Sequence, residues 1–212
     1  MVLLTAQKNK LMLTNFLRTI LVTLPVFFIF SCSPKNISTK YYYQNEKVLD
    51  KIEENYKNLS RQSPFTIGFT SRDYKTVSFE FITDTLSYVY EFDAGEARLN
   101  DTLKKFNLNA PKVNELINQM QTIRCTWIKN FDYYVDEKKN TLIFMSIKPV
   151  ALKAPLAYHK YYVLTYFNLP QYFDSEGRLL DKRKARRLRK INGQIFKRIN
   201  DKVCYTISGK FR

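Results

Sequence analysis

His159 is the single histidine of the chain, so a serine or cysteine nucleophile working with a histidine base would have to use it. It lies in Tyr158-His159-Lys160-Tyr161-Tyr162 with no Gly-x-Ser-x-Gly elbow beside it, and a histidine at a strand edge is the simpler reading. Two carboxylate sets, Glu91, Asp93 and Glu96 and then Asp132, Asp136 and Glu137, could in principle do the acid-pair chemistry of a glycosidase. Both fall at strand ends or loops, where acids are common. Asp174-Ser175-Glu176-Gly177 lacks the oxygen-ligand spacing of a calcium loop, and one His with two distant Cys lacks zinc spacing. No catalytic residue, metal site or cofactor is assigned from the sequence.

The basic run from Arg178 to Lys190 is the loudest feature of the body. It holds Arg178, Lys182, Arg183, Lys184, Arg186, Arg187, Arg189 and Lys190 against one acid, Asp181. Inside a cell such a run suggests nucleic acid. Outside it, Arg183, Lys184, Arg186, Arg187, Arg189 and Lys190 become a candidate surface for anionic lipid, glycan or protein. The alternative is a solvated face that only keeps the protein soluble.

The N-terminus decides between these compartments. Lys8, Lys10 and Arg18 form a basic leader, Ile20 to Phe30 an apolar stretch, and Ile29 and Ser31 place aliphatic and small residues just before Cys32. This resembles a bacterial lipoprotein signal peptide, with Phe30 larger than the residue that position usually holds. The resemblance covers this segment only. It implies a diacylglycerol on the Cys32 sulfur, cleavage before Cys32, and acylation of the new amino terminus. A transmembrane helix is disfavoured, because about 20 apolar residues are needed and Arg18 interrupts the run. A buried core helix would carry Pro25 in its middle. Residues 1–31 are therefore read as the signal peptide, 32–40 as the lipidated cysteine and a short polar tether, and 41–212 as one domain. An exported lipoprotein rarely meets nucleic acid, so no nucleic-acid partner is expected.

Three cysteines is an odd number for an exported chain. With Cys32 taken by lipid, Cys125 and Cys204 remain, either as a disulfide suited to an oxidising compartment or as two separate buried thiols. The formal charge of +16 falls by three when the leader is removed, and 15 Tyr and 16 Phe supply ample core material. Tyr41-Tyr42-Tyr43 and Tyr158, Tyr161, Tyr162 and Tyr166 could stack on sugars, or fill a core or membrane interface. Asp84-Thr85-Leu86 and Asp101-Thr102-Leu103 resemble the O-glycosylation acceptor of exported Bacteroidota proteins.

The elements that carry these residues follow from periodicity. Val48, Leu49, Ile52, Tyr56 and Leu59 predict a helix over 41–61, ended by Ser63-Pro64. Phe65 to Thr70 predicts a strand. Alternation about Val77–Phe81 and Leu86–Phe92, joined by Thr83-Asp84-Thr85, predicts an antiparallel hairpin. Leu99, Leu103 and Phe106 predict a short helix, and Pro111 opens another with Val113, Leu116, Ile117, Met120 and Ile123 on one face. Strands are predicted over 125–135, 141–148 and 158–167, with a hairpin loop over 136–140. Those over 141–147 and 161–167 are apolar on both faces and so central in the sheet. Over 178–200, Ala185, Leu188, Ile191, Ile195, Phe196 and Ile199 favour an amphipathic helix, while Asn192-Gly193 favours a hairpin turn. A final strand is predicted over 203–211.

The expectation is an α+β fold, a mostly antiparallel sheet with N-terminal, central and C-terminal helices packed against it. The expected protein is a membrane-anchored envelope lipoprotein, palmitate-modified, on the periplasmic face of the outer membrane of a Gram-negative bacterium. Its expected role is non-catalytic binding or assembly through a basic face; a cell-envelope hydrolase using a carboxylate pair is the alternative.

Overall fold

The computed structural model describes residues 34–135, 138–149, 160–181 and 187–209. The chain divides into two compact units, Met1–Asn36 and Ile37–Arg212. Helix α1 (Pro34–Gln62) comes first. Leu49, Ile52, Tyr56 and Leu59 form its buried stripe, and Tyr42 extends that stripe while Val48 is only half-buried. Residues 34–40, expected to be part of a short polar tether, are instead the first turns of this helix. Pro34 fits the first helical position, where its fixed φ is preorganised and its missing N–H costs nothing. Inside α1, the buried Tyr56 hydroxyl donates to Phe65 O at 2.5 Å and accepts from Asn130 N at 3.0 Å. One phenol thus ties the helix to two strands.

Strands β1 (Phe65–Phe69), β2 (Thr76–Ile82) and β3 (Ser87–Asp93) form an antiparallel meander. Two helices follow, α2 (Ala97–Lys105) and α3 (Ala110–Ile123). The Asn109 side chain caps α3 by accepting from Lys112 N, and Pro111 sits in its first turn. All five apolar positions predicted for its inner face are buried. A second meander follows, β4 (Trp127–Val135), β5 (Lys138–Pro149) and β6 (Tyr161–Phe167). The β4–β5 pairing extends to Val135 and Lys138, so the connection is tighter than the predicted loop. Strands β7 (Lys190–Ile191), β8 (Gln194–Ile195), β9 (Lys197–Arg198) and β10 (Val203–Ser208) complete the chain.

Eight strands make one antiparallel sheet in the order β3-β2-β1-β4-β5-β6-β10-β9. At its middle, Gly68 pairs with Trp127, and a Cβ on Gly68 would stand 2.6 Å from the indole Cδ1. Only glycine leaves room for that ring. The three helices cover one face, where Ile143, Met145, Leu164, Tyr166, Val203 and Tyr205 meet Leu49, Ile52, Leu103 and Met120 in the main core. Leu142, Phe144, Val163, Phe167 and Cys204 point to the opposite face and pack under Leu179, Ile191 and Phe196. The central strands are therefore apolar on both sides because both sides are covered.

The α+β reading holds, with one correction. The described residues of 178–200 form no helix. Asn192 (φ 48°) and Gly193 (φ 76°) both adopt left-handed backbone and turn β7 into β8, the geometry of a type I′ hairpin. The helical arc of Ala185, Leu188, Ile191, Ile195, Phe196 and Ile199 is real in projection, but Ile191 reaches the second sheet face from strand β7 and Phe196 from the residue between β8 and β9.

Candidate anionic-partner surface

The layer over the second sheet face is built from short bridges: Phe173 with Leu179, Arg178 with Lys197, and Leu180 with Leu188. Backbone bonds hold it, Leu179 N to Phe196 O at 2.9 Å, Arg189 N to Leu179 O at 2.9 Å and Arg198 N to Gly177 O at 2.7 Å. Leu179, Ile191 and Phe196 point inward from this layer, while Tyr172 and Ile195 are exposed. Among the described basic residues of this layer, Arg187, Lys190, Lys197 and Arg198 are exposed.

Of the six cationic residues predicted for binding, Arg183, Lys184 and Arg186 lie outside the described residues. Arg187 and Lys190 are exposed. Arg189 is half-buried and pinned: its Nη1 donates to Gln171 Oε1 at 3.1 Å, and its guanidinium lies 4.7 Å from the Tyr133 ring centroid and 5.8 Å from that of Phe167. Burial raises the Tyr133 hydroxyl pKa above its ordinary 10.0, with the Arg189 charge pulling it down. Arg178, at the start of the run, is neutralised locally by Asp174 at 2.6 Å and Glu176 at 3.3 Å.

Two cations were missed by the sequence reading. Lys197 and Arg198 form the exposed edge strand β9. Arg198 pairs with Asp201 at 2.6 Å and lies over Phe173. Among the described residues no carboxylate pairs with Arg187, Lys190 or Lys197. The available signal was the continuation of basic residues beyond Lys190, which a helical reading dispersed round an axis.

The other candidates are placed as follows. Cys32 and His159 lie outside the described residues, as do Asp136 and Glu137. Glu91 accepts from Thr70 Oγ1, Asp93 from Thr76 Oγ1, and Glu96 from Arg98 Nε at 2.6 Å. That last bond holds the Glu96 carboxyl below its ordinary pKa. Asp132 pairs with Lys139 at 2.9 Å and accepts from Thr141. Each of these acids is taken up by a nearby side chain, Asp93 and Asp132 within their own hairpins, Glu91 by the end of β1 and Glu96 by the first turn of α2. Among the described residues no group of His, Cys, Asp and Glu is placed to hold a metal, and no helix is long and apolar enough to cross a membrane.

Cys125 and Cys204 do not pair; both are free and buried. Cys125 belongs to the core under the helices and Cys204 to the core on the opposite face, so the sheet separates them. Burial pushes the Cys125 thiol up to about 12 and raises that of Cys204 as well. Of the tyrosine clusters, Tyr42, Tyr162 and Tyr166 are core residues, and Tyr43 is exposed. Thr85 lies in the exposed β2–β3 turn, whereas Thr102 bonds back to Arg98 O within α2. No protein-family model matches the chain, and no curated protein or solved structure shows significant similarity to it.

Proposed function

We propose that the chain is an envelope lipoprotein held at the membrane through Cys32, and that its basic C-terminal layer binds an anionic lipid, glycan or protein without catalysis. The observation that carries the binding half is the exposed set Arg187, Lys190 and Lys197, without a carboxylate partner among the described residues, on a layer anchored by Leu179, Ile191 and Phe196. Cations on a packed layer keep their charge available to a partner. Near an anionic leaflet each is worth about 1 kcal/mol. The anchoring half rests on the resemblance at Cys32, where more than one acyl chain gives stable retention. A helix that starts at Pro34 leaves little extended chain between that anchor and the body.

Flotation of the full-length protein tests both halves. Cys32→Ser is expected to abolish lipid labelling and release the protein from membranes; undiminished membrane association removes the anchor reading. Neutralising Arg187, Lys190 and Lys197 together is expected to weaken binding to phosphatidylglycerol vesicles in a salt-sensitive way. Unchanged binding would reduce the layer to a solvated face.

A further inference from the structure

On the helix-covered side, a cleft of about 520 Å³ opens between α1, the end of β6 and the start of β10. That is the size range of small-molecule sites. Its lining holds Asp50, Glu53 and Asp201 against Lys57 and Lys202, so its charge runs against that of the +16 chain. Helix α1 brings Asp50 and Glu53 to the cleft wall, with Glu46 one turn before Asp50 outside the lining, and Asp201 lines it from the loop before β10. Three of the four acids are satisfied. Glu46 accepts from the Tyr42 hydroxyl at 3.1 Å, Glu53 pairs with Lys57 at 3.6 Å, and Asp201 pairs with Arg198. Lys57 is spent in turn on Asn168 Oδ1 at 2.7 Å. Asp50 has no cationic partner among the described residues, and partial desolvation, then the Glu46 charge, raises its pKa.

Tyr166 is an independent observation. It lines the same cleft and is only 7% exposed, yet its buried hydroxyl has no hydrogen-bond partner among the described residues. A buried hydroxyl left unsatisfied costs about 1–3 kcal/mol, so the site is incomplete as it stands. Burial, then the nearby Tyr42 and Asp50, raise the Tyr166 pKa and keep it a neutral donor and acceptor. Tyr42 and Tyr166 show too little of their rings to stack on a sugar, and an anion would meet Asp50.

We propose that this cleft binds a small organic ammonium, its charged amine paired with Asp50 and a neighbouring polar group bonded to the Tyr166 hydroxyl. The site is separate from the basic layer, so either can fail alone.

Three probes of matched size test it by NMR titration of the full-length protein in detergent: ethanolamine, propylamine and ethylene glycol. Ethanolamine is expected to bind saturably in the millimolar range, propylamine several-fold more weakly, and ethylene glycol not at all. Asp50→Asn, on an exposed carboxylate, is expected to weaken ethanolamine about tenfold or more. Tyr166→Phe is expected to bring ethanolamine down to the propylamine level without lowering the melting temperature, since it removes an unsatisfied group. Asp50-dependent binding to phosphatidylethanolamine vesicles would place the amine on a lipid headgroup, and binding of free ethanolamine alone on a soluble ligand. The proposal is overturned by no saturable ethanolamine binding, by ethylene glycol binding as tightly, or by an Asp50→Asn protein of unchanged affinity.

Discussion

The guanidinium of Arg189 lies 4.7 Å from the ring centroid of Tyr133, which joins the basic C-terminal layer to the β4–β5 hairpin. A planar cation can cover a ring and still reach Gln171 with a nitrogen; an ammonium on a flexible stem cannot reproduce both.

Arg189→Lys therefore separates structure from charge. It keeps the net charge and loses the stacked geometry, at a cost of about 0.5–1 kcal/mol. Urea denaturation measures the loss. Binding to anionic vesicles should keep its salt dependence, and a large drop in that binding would mean Arg189 contacts the partner directly.

Gly193→Ala distinguishes two backbones for the same residues. At φ 76° alanine is strained by about 1–2 kcal/mol, so the hairpin predicts a destabilised protein. An amphipathic helix at this position would predict a gain of about 1 kcal/mol over glycine. The midpoint of a denaturant titration gives the sign, and a stabilised variant would contradict the hairpin.

The two thiols predict both reactivity and alkaline behaviour. Burial holds Cys125 up to about 12, from an ordinary 9.0, and raises Cys204 too. A thiol with a raised folded pKa supports the native state while protonated. That support is full below 9.0 and is lost as pH rises towards about 12 for Cys125. Native protein at mildly alkaline pH should resist a thiol-specific disulfide reagent, with both thiols reacting on unfolding. Rapid labelling without unfolding would show that the cores are open, and no labelling after unfolding would show a disulfide.

Most of the helical layer was legible because its signals are local. The stripe Leu49, Ile52, Tyr56 and Leu59 needs only the 3.6-residue period, and Asn109 with Pro111 marks the start of α3 by capping chemistry. The last two strands of each meander announced themselves by alternation or by apolar runs on both faces. The candidate site was legible only in composition. Arg187 and Lys190 stand out in any reading, but Lys197 joins them only through the bridge between Arg178 and Lys197.

By itself the sequence determined that this is a basic α+β chain with a lipoprotein-like N-terminus and a cationic C-terminal run. The tertiary structure alone decided how that run is displayed, that Cys125 and Cys204 face opposite cores, and that Asp50 and Tyr166 line one cleft. The physical reason is range. Helix stripes and caps depend on neighbours a few residues apart, whereas Asp50 and Tyr166 meet only because an eight-strand sheet sets β6 beneath α1. Over 178–200 the local signals themselves conflict. There the apolar sheet face beneath Ile191 and Phe196 needs covering, and the left-handed Asn192-Gly193 turn lets strand backbone do it.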